Sequence, residues 1–143
     1  MSSISEFMLE HHRLCDDHFA AVEEAVAKKD WKTAAESWEK FSVEIDKHLS
    51  NFEEGILFPA FEEVGGPMGP IMVMRQEHQQ MRAVVEQMDA ALKAENDGDF
   101  LGLSETFMVL TQQHNMKEEQ ILYPMMDSNL PGAEALLEEL KSQ

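Results

Sequence analysis

The stretch HNMKEEQILYP, residues 114–124, sets a histidine at 114 and glutamates at 118 and 119 ahead of an Ile-Leu-Tyr-Pro run. Four residues advance an α-helix by slightly more than one turn, so His114 and Glu118 project from one face and can serve one metal. Sixty-five residues earlier EEGILFP, residues 53–59, repeats the Glu-Glu, the Ile-Leu, the aromatic and the proline, and His48 precedes it. Two such copies facing each other inside a helical bundle would share a metal site.

Outward from these copies the apolar residues keep helical spacing. Ile4, Met8, Cys15, Phe19, Val22 and Val26 recur three and four apart, with His12 filling the gap, which predicts an amphipathic helix from Ile4 to about Lys28. His11 and His18 fall off that stripe and read as solvated or rim positions. Asp30 is a good N-cap for a second helix carrying Trp31, Ala34, Ala35, Trp38, Phe41, Ile45, Leu49 and Phe52, with His48 in the series. This helix should run to about Glu63, with Pro59 kinking it or opening its last turn, before GGPMGP (65–70) breaks it. A third helix is expected from near Pro70 with the stripe Ile71, Met74, His78, Met81, Val85, Met88 and Leu92. After a turn at ENDGD (95–99), the fourth presents Phe100, Leu103, Phe107, Leu110, His114, Glu118, Ile121 and Met125. PGAEALLEELK predicts a short tail helix from about Pro131 to Lys141. The expected fold is all-α, an up-down-up-down four-helix bundle with a short C-terminal helix, forming one domain over residues 1–143.

Each of the four long helices therefore carries one histidine in its apolar stripe: His12, His48, His78 and His114. A lone core histidine is usually bonded to a backbone carbonyl, but four at one height are not a coincidence of packing. His12 lies 17 residues before Lys29 and His48 lies 19 after it, while His78 lies 19 before Asp97 and His114 lies 17 after it. In antiparallel neighbours these counts bring all four imidazoles into one layer. Glu118 and Glu53 would join them. Two ionised carboxylates in a dry core are costly, and a bound cation removes that cost. Four imidazoles and two carboxylates exceed what one tetrahedral zinc uses, and the set suits iron or manganese with bridging carboxylates in a dinuclear centre. None of the six histidines has Glu three residues before it, so the paired Glu-x-x-His pattern of ferritin-like bundles is absent, as is HExxH.

Composition narrows the partners. Lys plus Arg is 11 against 28 for Asp plus Glu, a formal net charge of -17, which repels nucleic acid and anionic membranes. The single cysteine, Cys15, allows no intramolecular disulfide and reads as a small buried core residue in a reducing compartment. The N-terminal residues do not resemble a secretory signal and no stretch is apolar enough to span a bilayer, so a cytoplasmic location is expected. The 11 methionines fall largely at core spacing and read as adaptable filling.

With this spaced set in view, the chain resembles the hemerythrin-like, or HHE cation-binding, family over nearly its whole length, from His12 to Pro124. The resemblance rests on His12, on His48 with EEGILFP, on His78 within QEHQQMR, and on His114 with EEQILYP. It implies two non-haem irons, bridged by two carboxylates and an oxo or hydroxo group, with manganese the lesser candidate. It further implies His12, His48, His78 and His114 as terminal ligands and Glu53 and Glu118 as the bridges. Two positions depart from the family. Met74 stands where oxygen-carrying members have a further histidine, which would leave open or water-filled positions at the metals. His48 precedes Glu53 by five residues, where the family commonly has four, so a regular helix would turn Glu53 about 140° away. If both residues are ligands, a π-bulge is expected between His48 and Leu57.

The first function class implied is a small diiron protein that binds or senses oxygen, nitric oxide or the iron supply. Its partners would be a small diatomic ligand or peroxide, with any protein partner unknown. The alternatives are a diiron oxidase or peroxidase-type enzyme, and a metal-free helical interaction module.

Overall fold

The computed structural model describes residues 3–143, all helical apart from short turns, with no strand among them. Helix α1 (Ile4–Ala27) is capped by Ser3, whose side chain accepts from Glu6 N–H. Helix α2 (Trp31–Asp46) runs without a break into a π-helical stretch (Lys47–Leu57) and on into α3 (Phe58–Glu63). Helix α4 (Met68–Lys93) follows the Gly-Pro segment. Helix α5 (Asp97–Lys117) continues through a second π turn (Glu118–Leu122) into α6 (Tyr123–Asn129), and α7 (Ala133–Lys141) closes the chain.

The two interhelix turns at one end are built alike. Lys29 and Glu95 take positive φ values of 56° and 52°, and each is followed by a cap, Asp30 or Asn96. The Asp30 N–H returns to Ala25 O and the Asn96 N–H to Ala91 O, which satisfies carbonyls at the ends of α1 and α4. Because Asn96 accepts from Asp99 N–H at 3.0 Å, α5 begins at Asp97, inside the stretch expected to be a turn. Helix α4 likewise starts before Pro70, at Met68, since the first turn needs no N–H from proline. The tail helix starts at Ala133, later than Pro131, behind Gly132 at φ 70°.

Helix α1 packs on α2 and α5, α4 packs on α5, and α2 meets α4; α6 and α7 lie against α1, and α7 also against the first π stretch. Two apolar clusters result. One, toward the capped turns, gathers Phe19, Trp38, Phe41, Met88, Phe100 and Phe107. The other, at the far end, gathers Ile4, Met8, Phe52, Phe58, Ile71 and Met126. The four stripe histidines fall between them: His12 between Met8 and Cys15, His78 between Met74 and Met81, His114 between Phe107 and Leu122, and His48 between Ile45 and Phe52. All four are buried.

Two expectations along the stripes are corrected. In the helix formed by α5 and α6, Ile121 is 55% exposed and Met125 only half-buried, while Leu122 and Met126 are buried. The π turn at Glu118–Leu122 adds one residue to the register, so every inward position beyond it moves one place along the chain. Ahead of it the inward line runs Phe100, Ser104, Phe107, Thr111 and His114, leaving Leu103 and Leu110 at its edge. The second correction concerns His11, which is buried rather than solvated. It lies three residues after Met8 and four before Cys15, so it occupies the apolar face as fully as His12 does; that face is wider than one line of residues.

Candidate metal centre

Both copies of the Glu-Glu-x-Ile-Leu-aromatic-Pro sequence are wound as π-helix, and the bonds correspond. Phe58 N–H donates to Glu53 O, and Tyr123 N–H donates to Glu118 O, each five residues back. Pro59 and Pro124 come next in each copy. Proline offers no N–H and presses on the carbonyl four residues behind, and a wider turn just ahead of it relieves that contact. In the first copy the π stretch begins at Lys47 and includes His48, which brings His48 and Glu53 to the same face despite their five-residue separation. Glu53 and Glu118 are both 0% exposed.

Their carboxylates meet the histidines in two overlapping groups: Glu53, His78, His114 and Glu118, and His12, His48 and Glu118, with the donor atoms of each group within 4.8 Å of one another. The Nε2 atoms of His12 and His48 are 3.0 Å apart. Glu118 reaches across both groups, with Oε1 3.2 Å from His12 Nε2 and Oε2 3.2 Å from His114 Nε2. Glu53 Oε1 is 2.9 Å from His78 Nε2 and 3.6 Å from His48 Nε2.

Outside this centre, each histidine is held by its other nitrogen. His12 Nδ1 donates to Glu119 at 2.7 Å, His78 Nδ1 to Glu54 at 2.6 Å, and His114 Nδ1 to Glu77 at 2.9 Å. Arg82 braces Glu54, and Lys117 braces Glu77. His48 departs from the pattern: its Nδ1 lies 2.9 Å from Nδ1 of His11, whose Nε2 lies 2.8 Å from Glu44. The two rings are stacked with centroids 5.1 Å apart. Burial, reinforced by His48, lowers the His11 pKa to about 4, so His11 is neutral at neutral pH. One tautomer satisfies the chain: His11 Nε2–H donates to Glu44 and His48 Nδ1–H donates to His11 Nδ1. All four ligand-type nitrogens therefore turn Nε2 toward the centre, the orientation that outer partners impose on metal-binding histidines.

These outer residues are not among the stripe positions, although the sequence carries signals for them. Glu54 and Glu119 are the second glutamates of the two copies, and Glu77 and His11 each directly precede a stripe histidine. Replacing His11 by Ala should therefore weaken metal binding about 10–100-fold, the usual effect of losing such a partner. His18, half-buried and away from the centre, should tolerate Ala without loss. Isothermal titration with zinc as a redox-silent probe checks both, and equal affinity in the parent and His11→Ala would contradict the assigned role.

Electrostatics in the centre are tightly linked. Burial alone would depress His114, but Glu118 and Glu53 raise it to about 11. His12 is raised in the same way, chiefly by Glu118 against the pull of burial. Glu118 is held well below the usual carboxylate range because His114 and its hydrogen-bonding neighbours overcome desolvation. Tyr123, fully buried, has its hydroxyl pushed well above the ordinary phenol value by burial and then by both carboxylates. That hydroxyl lies 2.8 Å from Glu53 and 2.9 Å from Glu118.

Whether the residues fit a cation is decided by two atoms. His114 Nε2 and Glu118 Oε2 are fully buried and 3.2 Å apart, an ion-pair contact that falls short of hydrogen-bond geometry, and neither has any other partner to complete its hydrogen bonding. Each such orphan costs about 1–3 kcal/mol, and one cation between them satisfies both. The donor set is mixed nitrogen and oxygen without sulfur: Cys15 is buried, and burial raises its thiol to about 12.

A helical chain with a buried imidazole–carboxylate cluster of this kind defines a cation-binding class of protein. The family described as Hemerythrin HHE cation binding domain matches residues 3–142, and the chain belongs to it. No curated protein and no solved structure matches the chain. The cluster fits the metal site that the family's description implies.

Proposed function

We propose that the chain is an up-down-up-down four-helix bundle that holds two non-haem irons and binds or senses a small neutral molecule such as oxygen or nitric oxide. His12 and His48 would hold one iron and His78 and His114 the other, with Glu53 and Glu118 between them. The observation that carries this is the convergence of four Nε2 atoms on two buried carboxylates in two groups sharing Glu118. Iron bound there supplies ligand positions beyond those the protein fills, together with ferrous–ferric chemistry. The protein's own part is to orient the imidazoles through Glu119, His11, Glu54 and Glu77, and to keep bulk water away through the two apolar clusters.

The small size of the ligand is supported by a cavity of about 10 Å³ beside His12 and His48, walled by Phe19, Phe41, Met81 and Phe107. This is room for about one water-sized body in largely apolar surroundings. Met74, one turn before His78, is buried in the far-end cluster and offers no imidazole. The iron-loaded, reduced protein should bind nitric oxide with saturable spectral changes. Met74→His, which adds an imidazole one turn from His78, should slow its oxidation by air. Rapid-mixing absorption spectroscopy tests this: no spectral response to nitric oxide or oxygen overturns the small-ligand proposal.

A further inference from the structure

We propose that the phenolate oxygen of Tyr123 is itself a ligand, to the metal held by His12 and His48; this rests on the metal-centre proposal above and adds to it. Tyr123 Oη is surrounded by four donor atoms from four residues: Glu53 Oε2 at 2.8 Å, Glu118 Oε1 at 2.9 Å, His12 Nε2 at 3.2 Å and His48 Nε2 at 3.4 Å. A phenol donates one proton and accepts at most two, so hydrogen bonding does not account for all four neighbours at similar range. Coordination does. With metal–ligand bonds of about 2.1 Å, adjacent ligand atoms of an octahedron stand about 3 Å apart. The four contacts of Tyr123 Oη are all close to that edge length, as are the 3.0 Å between His12 and His48 and the 3.2 Å between His12 and Glu118. Tyr123 Oη thus has the place of a fourth ligand beside His12, His48 and Glu118, with Glu53 Oε2 next to it.

The internal repeat sharpens the assignment. Phe58 stands in EEGILFP where Tyr123 stands in EEQILYP, and it stacks on His78 with centroids 5.5 Å apart. The His78–His114 side therefore has no equivalent oxygen, and the two metals differ in their ligands. On binding, the phenol O–H bond breaks as the oxygen–metal bond forms. The proton leaves to solvent and no electron is transferred.

Tyr123 is the only tyrosine in the chain, so a tyrosinate signal has one source. The full chain is loaded anaerobically with ferrous iron and oxidised in air, and iron content, visible absorption and resonance Raman spectra are recorded. The expected result is a phenolate-to-ferric charge-transfer band with enhanced phenolate ring vibrations that shift in protein grown on ring-deuterated tyrosine. Tyr123→Phe should bind iron more weakly, and the iron it does hold should lack both signals. Iron uptake by the parent chain without phenolate vibrations overturns the Tyr123 assignment while leaving the metal centre standing. No iron uptake overturns the metal centre and the assignment together.

Discussion

Glu118→Gln should abolish metal binding at both positions, not at one. Glu118 is the residue common to both donor groups, with one oxygen toward His12 and the other toward His114. Glutamine preserves the volume, but it removes the charge and turns one oxygen into an N–H donor, which cannot ligate. At a free metal concentration one hundred times the dissociation constant, the parent should gain about 2.7 kcal/mol of stability from the ligand. Glu118→Gln should gain none, so that thermal melts with and without metal superimpose. Glu119→Gln is the matched control. Glu119 touches the centre only through His12 Nδ1, and its change should weaken binding about 10–100-fold without abolishing it. If the two variants lose metal equally, the distinction between inner carboxylate and outer support fails.

The second large effect is expected at Gly55, where the usual rule for glycine in a helix reverses sign. Gly→Ala at an exposed helical position ordinarily stabilises by about 0.5–1 kcal/mol. At Gly102 in α5 an added Cβ meets nothing within 4 Å, and that gain is expected. At Gly55 the Cβ would stand 2.9 Å from the Ser50 carbonyl oxygen, which is backbone and cannot swing aside. Ser50 is five residues back, so the close contact arises from the π winding itself. Gly55→Ala should destabilise by about 1–3 kcal/mol, as overpacking does. A return to α winding would relieve the contact but would carry Glu53 about 140° from His48. Metal affinity should therefore fall along with stability, although Gly55 touches no donor. Denaturant melts and zinc titration check it; a stabilised Gly55→Ala would show that the π stretch does not depend on glycine.

These residues also show what was legible in the sequence. The four histidines could be placed because each interrupts an apolar series, and their distances from the turns could be counted. The π stretch at Lys47–Leu57 could be inferred because His48 and Glu53 are five apart, a spacing that α winding cannot bring to one face. The second π turn left no such trace, since His114 and Glu118 keep a four-residue step and the shift is felt only afterwards, at Leu122 and Met126. His11 was hidden by its neighbour: adjacent residues are about 100° apart on a helix, and a one-line stripe admits only one of them. Tyr123 was visible as the aromatic position that the two copies share, but Phe58 fits that description without the oxygen. Only the fold distinguishes the one whose oxygen turns into the centre.

The most direct test is the metal content of the chain. Protein loaded with ferrous iron under anaerobic conditions, oxidised in air and freed of excess metal should retain about two irons per chain, coupled to one another. Elemental analysis gives the count, and Mössbauer spectroscopy shows whether the pair is coupled. Two coupled irons, lost together in Glu118→Gln, are the predicted result. A single mononuclear iron, or none, would contradict the dinuclear account.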